Sequence, residues 1–238
     1  MTLQEFFTEY PKAALGFSGG VDSSYLLWAA VNAGADIAPY YIQTAFQPAF
    51  ELEDAKRLCE QIGVKLNVIQ LDALADPRVA ANPANRCYYC KVGMFGALRA
   101  RAKADGYDLL LDGTNASDDA GDRPGMKALR ECGLTKAMIR QESRKAGLFT
   151  WDKPAYACLA TRVPTGRTIT PELLRRVEGA ETALFALGFT DFRVRLYDDA
   201  ARLQLPEGQL AKAVEQRQAI RQALAPWFDI VLLDTQTR

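Results

Sequence analysis

The seven residues Ser18-Gly19-Gly20-Val21-Asp22-Ser23-Ser24 constrain this chain more than any other stretch. An apolar run, Ala13–Phe17, leads in and a second one, Tyr25–Val31, leads out. That succession predicts strand, glycine turn, helix. Adjacent glycines let a ligand approach the backbone closely, and the N–H groups at a helix start favour an anion. Ser18, Ser23 and Ser24 add hydroxyl donors, so the stretch is expected to cradle phosphates. It is not a Walker A loop, because no Lys-Ser or Lys-Thr pair closes a G-x-x-x-x-G spacing. Without that lysine, γ-phosphoryl transfer is the less natural chemistry. Holding pyrophosphate as a leaving group while AMP goes to an acceptor suits the loop better. Asp22 beside phosphates calls for Mg²⁺, since a bare carboxylate there would repel them.

On these residues, Ser18–Ser23 resembles the S-G-G-x-D-S signature of the PP-loop ATP pyrophosphatase superfamily. The rest of the chain is compatible with such a fold. The alternation of strand-like and helical segments (helix 22–33, strand 36–43, helix 49–62, strand 65–71) predicts an α/β domain with a parallel sheet. A fourth strand, 108–112, ends in Asp112-Gly113-Thr114-Asn115. Gly113 and Thr114 therefore stand at a strand end equivalent to that of the glycine loop, where ligands of open α/β sheets bind. A boundary is expected near residue 165. It separates a PP-loop domain (1–165) from a small α+β domain (166–238) made of helix 171–187, a hairpin turning on Asp198-Asp199, helix 206–224 and a closing strand at 229–233.

Composition narrows the function. The 238 residues carry 29 Lys+Arg against 29 Asp+Glu, which argues against a broad nucleic-acid surface. No basic-then-apolar leader and no membrane-length apolar run is visible, so a cytoplasmic protein without membrane contact is expected. There is no histidine, which removes imidazole bases, Ser-His triads and histidine metal ligands. The five cysteines include a single C-x-x-C pair, Cys87 and Cys90, which suggests a metal or redox role or a place in the core. Cys59 lies on a helical apolar stripe and reads as a buried thiol, and Cys132 has no further reading. Cys158 sits in a loop with Trp151, Lys153 and Arg162, a setting expected to lower its pKa. Three thiolates without a fourth ligand suit an iron–sulfur cubane with one open iron. In Phe192–Tyr197 the alternation puts Arg193 and Arg195 on one face, either for an anionic ligand or simply for solvent. Asp118, Asp119, Asp122 and Arg123 form a charge run, a solvated loop or a Mg²⁺ contact.

Taken together, several blocks resemble the LarE sulfur transferases, PP-loop enzymes that help make the nickel-pincer nucleotide cofactor. The blocks are 17–24, 85–91, 112–115, 123–125, 133–136, 147–154, 157–162 and 192–195. The resemblance implies that ATP adenylates a carboxylate of a pyridinium biscarboxylate mononucleotide, a nicotinate-derived small molecule. Sulfur then displaces AMP to give a thiocarboxylate. In one branch of the family the cysteine matching Cys158 gives up its own sulfur and becomes dehydroalanine. In another, three cysteines hold a [4Fe-4S] cluster, and Cys87, Cys90 and Cys158 match these. Arg162, Glu181, Arg193 and Arg195 match positions that handle the anionic substrate. A homo-oligomer is also expected. Two departures stand out: the segment between Gly125 and Gly133 is about ten residues short, which puts the sheet edge in doubt, and Gln204 replaces an expected acidic residue. The main rival is a PP-loop tRNA thiolase with a three-cysteine cluster; a non-catalytic nucleotide-binding or redox-sensing module is another.

Overall fold

A computed structural model describes residues 1–118 and 125–237. Its contacts divide the chain into two units. The first comprises Met1–Thr44, Ala49–Leu71 and Lys91–Ala155; the second comprises Ala45–Pro48, Asp72–Cys90 and Tyr156–Arg238. The C-terminal part thus gathers two earlier segments that a linear division at residue 165 leaves with the loop domain.

In the first unit, four parallel strands follow the order β3-β2-β1-β4. They are β1 (Lys12–Gly16), β2 (Asp36–Gln43), β3 (Asn67–Gln70) and β4 (Leu110–Leu111). Ala13 and Leu15 pack with Phe6, Leu26, Leu27 and Leu58 on one face, while Ala14 packs with Tyr40, Leu98 and Ala102 on the other. Burial of both faces is why β1 reads as a continuous apolar run rather than an alternation. The α/β class and the parallel PP-loop sheet are as the sequence predicts. The shortened segment does not disrupt the sheet edge, because Met126 pairs in parallel with Leu111 beside β4. There the Met126 N–H donates to the Leu110 carbonyl at 2.8 Å and the Asp112 N–H to the Met126 carbonyl at 3.1 Å.

The second unit holds a smaller sheet of order β5-β6-β7. The strands β5 (Arg193–Tyr197) and β6 (Ala200–Gln204) form the expected antiparallel hairpin, and β7 (Val231–Leu233) runs parallel to β6. Helix Pro171–Ala186 starts with Thr170, whose hydroxyl accepts from the Leu173 N–H, and has proline in its first turn. Its Leu174, Val177, Ala180 and Leu184 meet Phe192, Val194 and Leu203 of the sheet in one core. Phe46, Ala73 and Val79 join the same core, which is why their segments belong here. Asn82, in the left-handed region at φ 53°, bonds from its side chain to the Pro164 carbonyl at 2.8 Å. The single helix expected over 206–224 is instead a short 3₁₀ turn followed by Leu210–Glu215 and Arg217–Leu224, broken at Gln216. Among the described residues, no helix is long and apolar enough to cross a membrane.

One glycine inverts a familiar rule. Gly179 lies inside Pro171–Ala186, where alanine would ordinarily stabilise by about 1 kcal/mol. A Cβ there would stand 2.4 Å from two ring carbons of Trp227. We expect Gly179→Ala to destabilise by roughly 1–3 kcal/mol, the cost of overpacking. A thermal melt of the variant at or above the parent would refute this.

Candidate functional site

The glycine loop is a knot of short hydrogen bonds. The Ser18 N–H donates to Ser23 Oγ at 3.3 Å, and Ser23 Oγ donates to the Gly20 carbonyl at 3.2 Å. The Gly20 N–H donates to Ser18 Oγ at 3.3 Å. Gly19 adopts φ 68°, and a Cβ on it would come within 3.3 Å of Ala55 Cβ, so only glycine fits. Helix Val21–Asn32 then begins at Gly20 with no side-chain cap. Its first-turn N–H groups are therefore presented for an anion. Ser24 is fully buried, and its hydroxyl has no hydrogen-bond partner in the ligand-free protein. Gly113 backs onto the loop: a Cβ there would lie 3.2 Å from the Ser23 nitrogen. Thr114 beside it is buried, its N–H held by Asp112 Oδ1 at 2.8 Å. Of the acidic run, Asp118 accepts from Asn115 at 3.1 Å, while Asp119, Asp122 and Arg123 lie outside the described residues.

Two lysines absent from the sequence's list of candidates reach this loop. Lys136 pairs with Asp22 through Oδ2, leaving Oδ1 buried without a hydrogen-bond partner. That unpartnered oxygen, on a carboxylate side chain only 19% exposed, fits a Mg²⁺ contact. Lys153 pairs with Asp54 at 2.7 Å and reaches the Gly19 carbonyl at 3.5 Å. Lys136 lies 114 positions from Asp22, and no spacing rule joins residues so far apart. The only signal was that both lysines fall inside the resembling blocks.

The three expected thiols all lie in the second unit. Cys87 and Cys90 sit one turn apart on helix Arg86–Ala104, and Cys158 immediately precedes the 3₁₀ turn Leu159–Arg162. Arg86, buried and also missed from the sequence, fastens the group. It donates to Asn82 Oδ1 at 2.7 Å and to the Ala160 carbonyl at 3.0 Å, and its other arm reaches Cys87 Sγ at 3.5 Å. Burial, then the charge of Cys158, pushes the Cys90 thiol up to about 11. Burial likewise raises Cys158, against the opposing pull of Arg86. The expected lowering of the Cys158 pKa is therefore corrected: desolvation outweighs the cations, and Lys153 is committed to Asp54 instead.

The three thiols lie in one unit, yet among the described residues no three Cys, Asp or Glu side chains stand close enough to hold a metal ion. A tetrahedral ion with Zn–S bonds of about 2.3 Å needs its sulfurs within roughly 4 Å of each other. A cubane binds each cysteine through a different iron, so its ligands stand farther apart. By donor type, three thiols without a histidine suit an iron–sulfur cluster; as they stand, they form no metal-holding group among the described residues. Cys59, by contrast, is core, its thiol driven up to about 12 by burial.

Around Cys158 lies a buried charge network. Arg162 and Glu181, each 1% exposed, form a two-pronged pair at 2.8 and 3.0 Å. The remaining Arg162 arm donates to the Ala157 carbonyl at 2.7 Å and the Cys158 carbonyl at 3.3 Å. Glu181 also accepts from the Val194 N–H at 2.9 Å and from the Tyr156 hydroxyl. Arg193, only 4% exposed, stacks its guanidinium over Tyr156, so its solvated-hairpin alternative falls. Arg195 donates to the Thr161 carbonyl at 2.6 Å and to Gln204. Gln204, where the resemblance predicts an acid, donates to Asp234 at 2.9 Å. Hydrogen bonds from the Gln236 backbone and Gln204, with Arg202 and Arg195 nearby, hold its carboxyl below the usual range.

A family model described as queuosine biosynthesis protein QueC matches residues 12–82, the glycine-loop part of the sheet. An uncharacterized Synechocystis protein is 38% identical over 225 residues, covering 90% of this chain and 83% of that one. The pyridinium-3,5-bisthiocarboxylic acid mononucleotide synthase of Lactiplantibacillus plantarum is 30% identical over 220 residues, covering 88% and 80%. A tRNA-specific 2-thiouridylase of Micrococcus luteus is 29% identical over 197 residues, but only 49% of its length is covered. With that glycine loop, those thiols and identity sustained along most of both chains, this protein belongs to the LarE family of ATP-using PP-loop sulfur transferases.

Proposed function

We propose that this protein adenylates a carboxylate of a pyridinium-3,5-biscarboxylate mononucleotide and converts it to a thiocarboxylate, in nickel-pincer nucleotide synthesis in the cytoplasm. The observation that carries this reading is a set of three thiols in one unit, with buried Arg86 reaching Cys87, on a histidine-free chain that also bears an uncapped PP-loop helix. In the first step a substrate carboxylate oxygen bonds to the α-phosphorus of ATP. The bond from that phosphorus to the bridging oxygen breaks, and pyrophosphate leaves with the electron pair. The loop N–H groups receive the pyrophosphate, and Asp22 is the residue that would hold Mg²⁺, which would supply positive charge to the phosphates. In the second step sulfur bonds to the activated carbonyl carbon and AMP leaves.

Arg193 and Arg195 supply positive charge for the anionic substrate, and Arg162 holds the Cys158 backbone in place. A [4Fe-4S] cluster on Cys87, Cys90 and Cys158 would supply an iron able to bind external sulfide. The active form is proposed to be a homo-oligomer acting on a small molecule. Chromatography of the nucleotide products tests the first step: AMP and pyrophosphate are expected, and ADP with phosphate would overturn it. Thiolation of tRNA in the same assay would favour the M. luteus-like alternative.

A further inference from the structure

Lys136 is badly placed for its own helix. It is the first residue of Lys136–Lys145, where the helix dipole disfavours a cation. Its backbone is pinned, because Thr135 caps the helix and the Lys136 N–H donates to Ser117 Oγ at 3.2 Å. Its side chain, 38% exposed, reaches the Asp22 carboxylate, and Asp22 itself keeps one buried oxygen without a partner. Lys153 differs. Its side chain is 14% exposed and locked between Asp54 and the Gly19 carbonyl, so it is a positioning residue for the loop backbone.

We propose that Lys136 is the phosphate cation that the loop itself lacks. It is parked on Asp22 in the nucleotide-free protein and moves to the β- and γ-phosphates when Mg²⁺ takes its place on that carboxylate. This rests on the ATP-using reading of the loop. The physical case is charge balance. A carboxylate in the first turn of an anion-binding helix competes with the anion for that helix end, so it must be neutralised in every state. With nucleotide absent, an ammonium can serve. With Mg²⁺ present, the ammonium is released about one side-chain length from a helix end where polyphosphate carries several negative charges. The exchange only swaps partners: the incoming Mg²⁺ faces Asp22, the ammonium faces the incoming phosphates, and no covalent bond or proton is transferred.

The test uses the full chain and three probes: ATP, AMP and Mn²⁺. Lys136→Met is expected to weaken Mg·ATP binding by roughly tenfold or more, the loss of a charge-assisted hydrogen bond, while AMP binding stays unchanged. In the same variant, Mn²⁺ followed by paramagnetic resonance without nucleotide should bind at least tenfold tighter than in the parent, because Asp22 is no longer occupied. Lys136→Arg should restore ATP binding in part. Equal losses for ATP and AMP, or unchanged Mn²⁺ binding in a variant whose circular dichroism matches the parent, would overturn the proposal. If the parent binds neither nucleotide, the ATP-using reading fails instead, and an Mn²⁺ gain in Lys136→Met would still show the lysine parked on Asp22.

Discussion

Replacing Cys158 by alanine is expected to abolish thiocarboxylate formation while ATP is still split to AMP in the presence of substrate. The sulfur-bearing atoms and the phosphate-binding loop are built from different parts of the chain. Cys158 precedes the Leu159–Arg162 turn, whereas the loop ends β1. The remaining thiols decide how sulfur is carried. If the three cysteines hold an iron–sulfur cluster, Cys87→Ala and Cys90→Ala should each lose both the brown chromophore and activity after anaerobic reconstitution. The parent, supplied with sulfide, should then turn over repeatedly. A single turnover that leaves Cys158 lighter by the mass of H₂S, with Cys87→Ala fully active, would assign the sulfur to Cys158 itself and remove the cluster.

The second large effect concerns stability. Glu181→Leu leaves the Arg162 guanidinium charged and buried, with its main partner gone. Breaking a buried pair from one side costs about 3–5 kcal/mol. For a chain of this size that corresponds to a fall of roughly 10 °C in Tm. Pairing it with Arg162→Met removes both charges, and a well-packed apolar pair is often close to neutral. We therefore expect the double variant to melt well above Glu181→Leu alone. Its sulfur transfer should nonetheless stay poor, because the bonds from Arg162 to the Ala157 and Cys158 carbonyls are lost. A double variant as unstable as the single one would mean that these carbonyl bonds and the Val194 N–H contact carry the stability, rather than charge balance.

Local chemistry was legible in the sequence, and long-range pairing was not. The strand–glycine–helix succession at 13–31, the both-faces-buried β1 and the Asp198-Asp199 hairpin all follow from periodicity and turn residues. Alternation also placed Arg193 and Arg195 correctly on the face opposite Phe192, Val194 and Leu196. It could not show that Tyr156 covers that face, so the burial of Arg193 came only with the fold. Arg86 and Lys136 were overlooked for a related reason. Periodicity says which side of an element is buried, but a polar partner 74 or 114 positions away is set by how the chain closes. The error over Cys158 had another source. Basic neighbours in sequence suggested a lowered pKa, but solvent exclusion decides a thiol's charge when the cations are few and engaged elsewhere.

The notch at Gly179 has an optical consequence. The chain carries three tryptophans. Trp28 and Trp151 belong to the first unit, so Trp227, seated on the glycine of helix Pro171–Ala186, is the lone indole of the second. With the other two replaced by phenylalanine, intrinsic fluorescence becomes a private signal from the unit that holds the thiols. Its unfolding can then be followed apart from that of the nucleotide-binding sheet, with no label attached to any of the five cysteines.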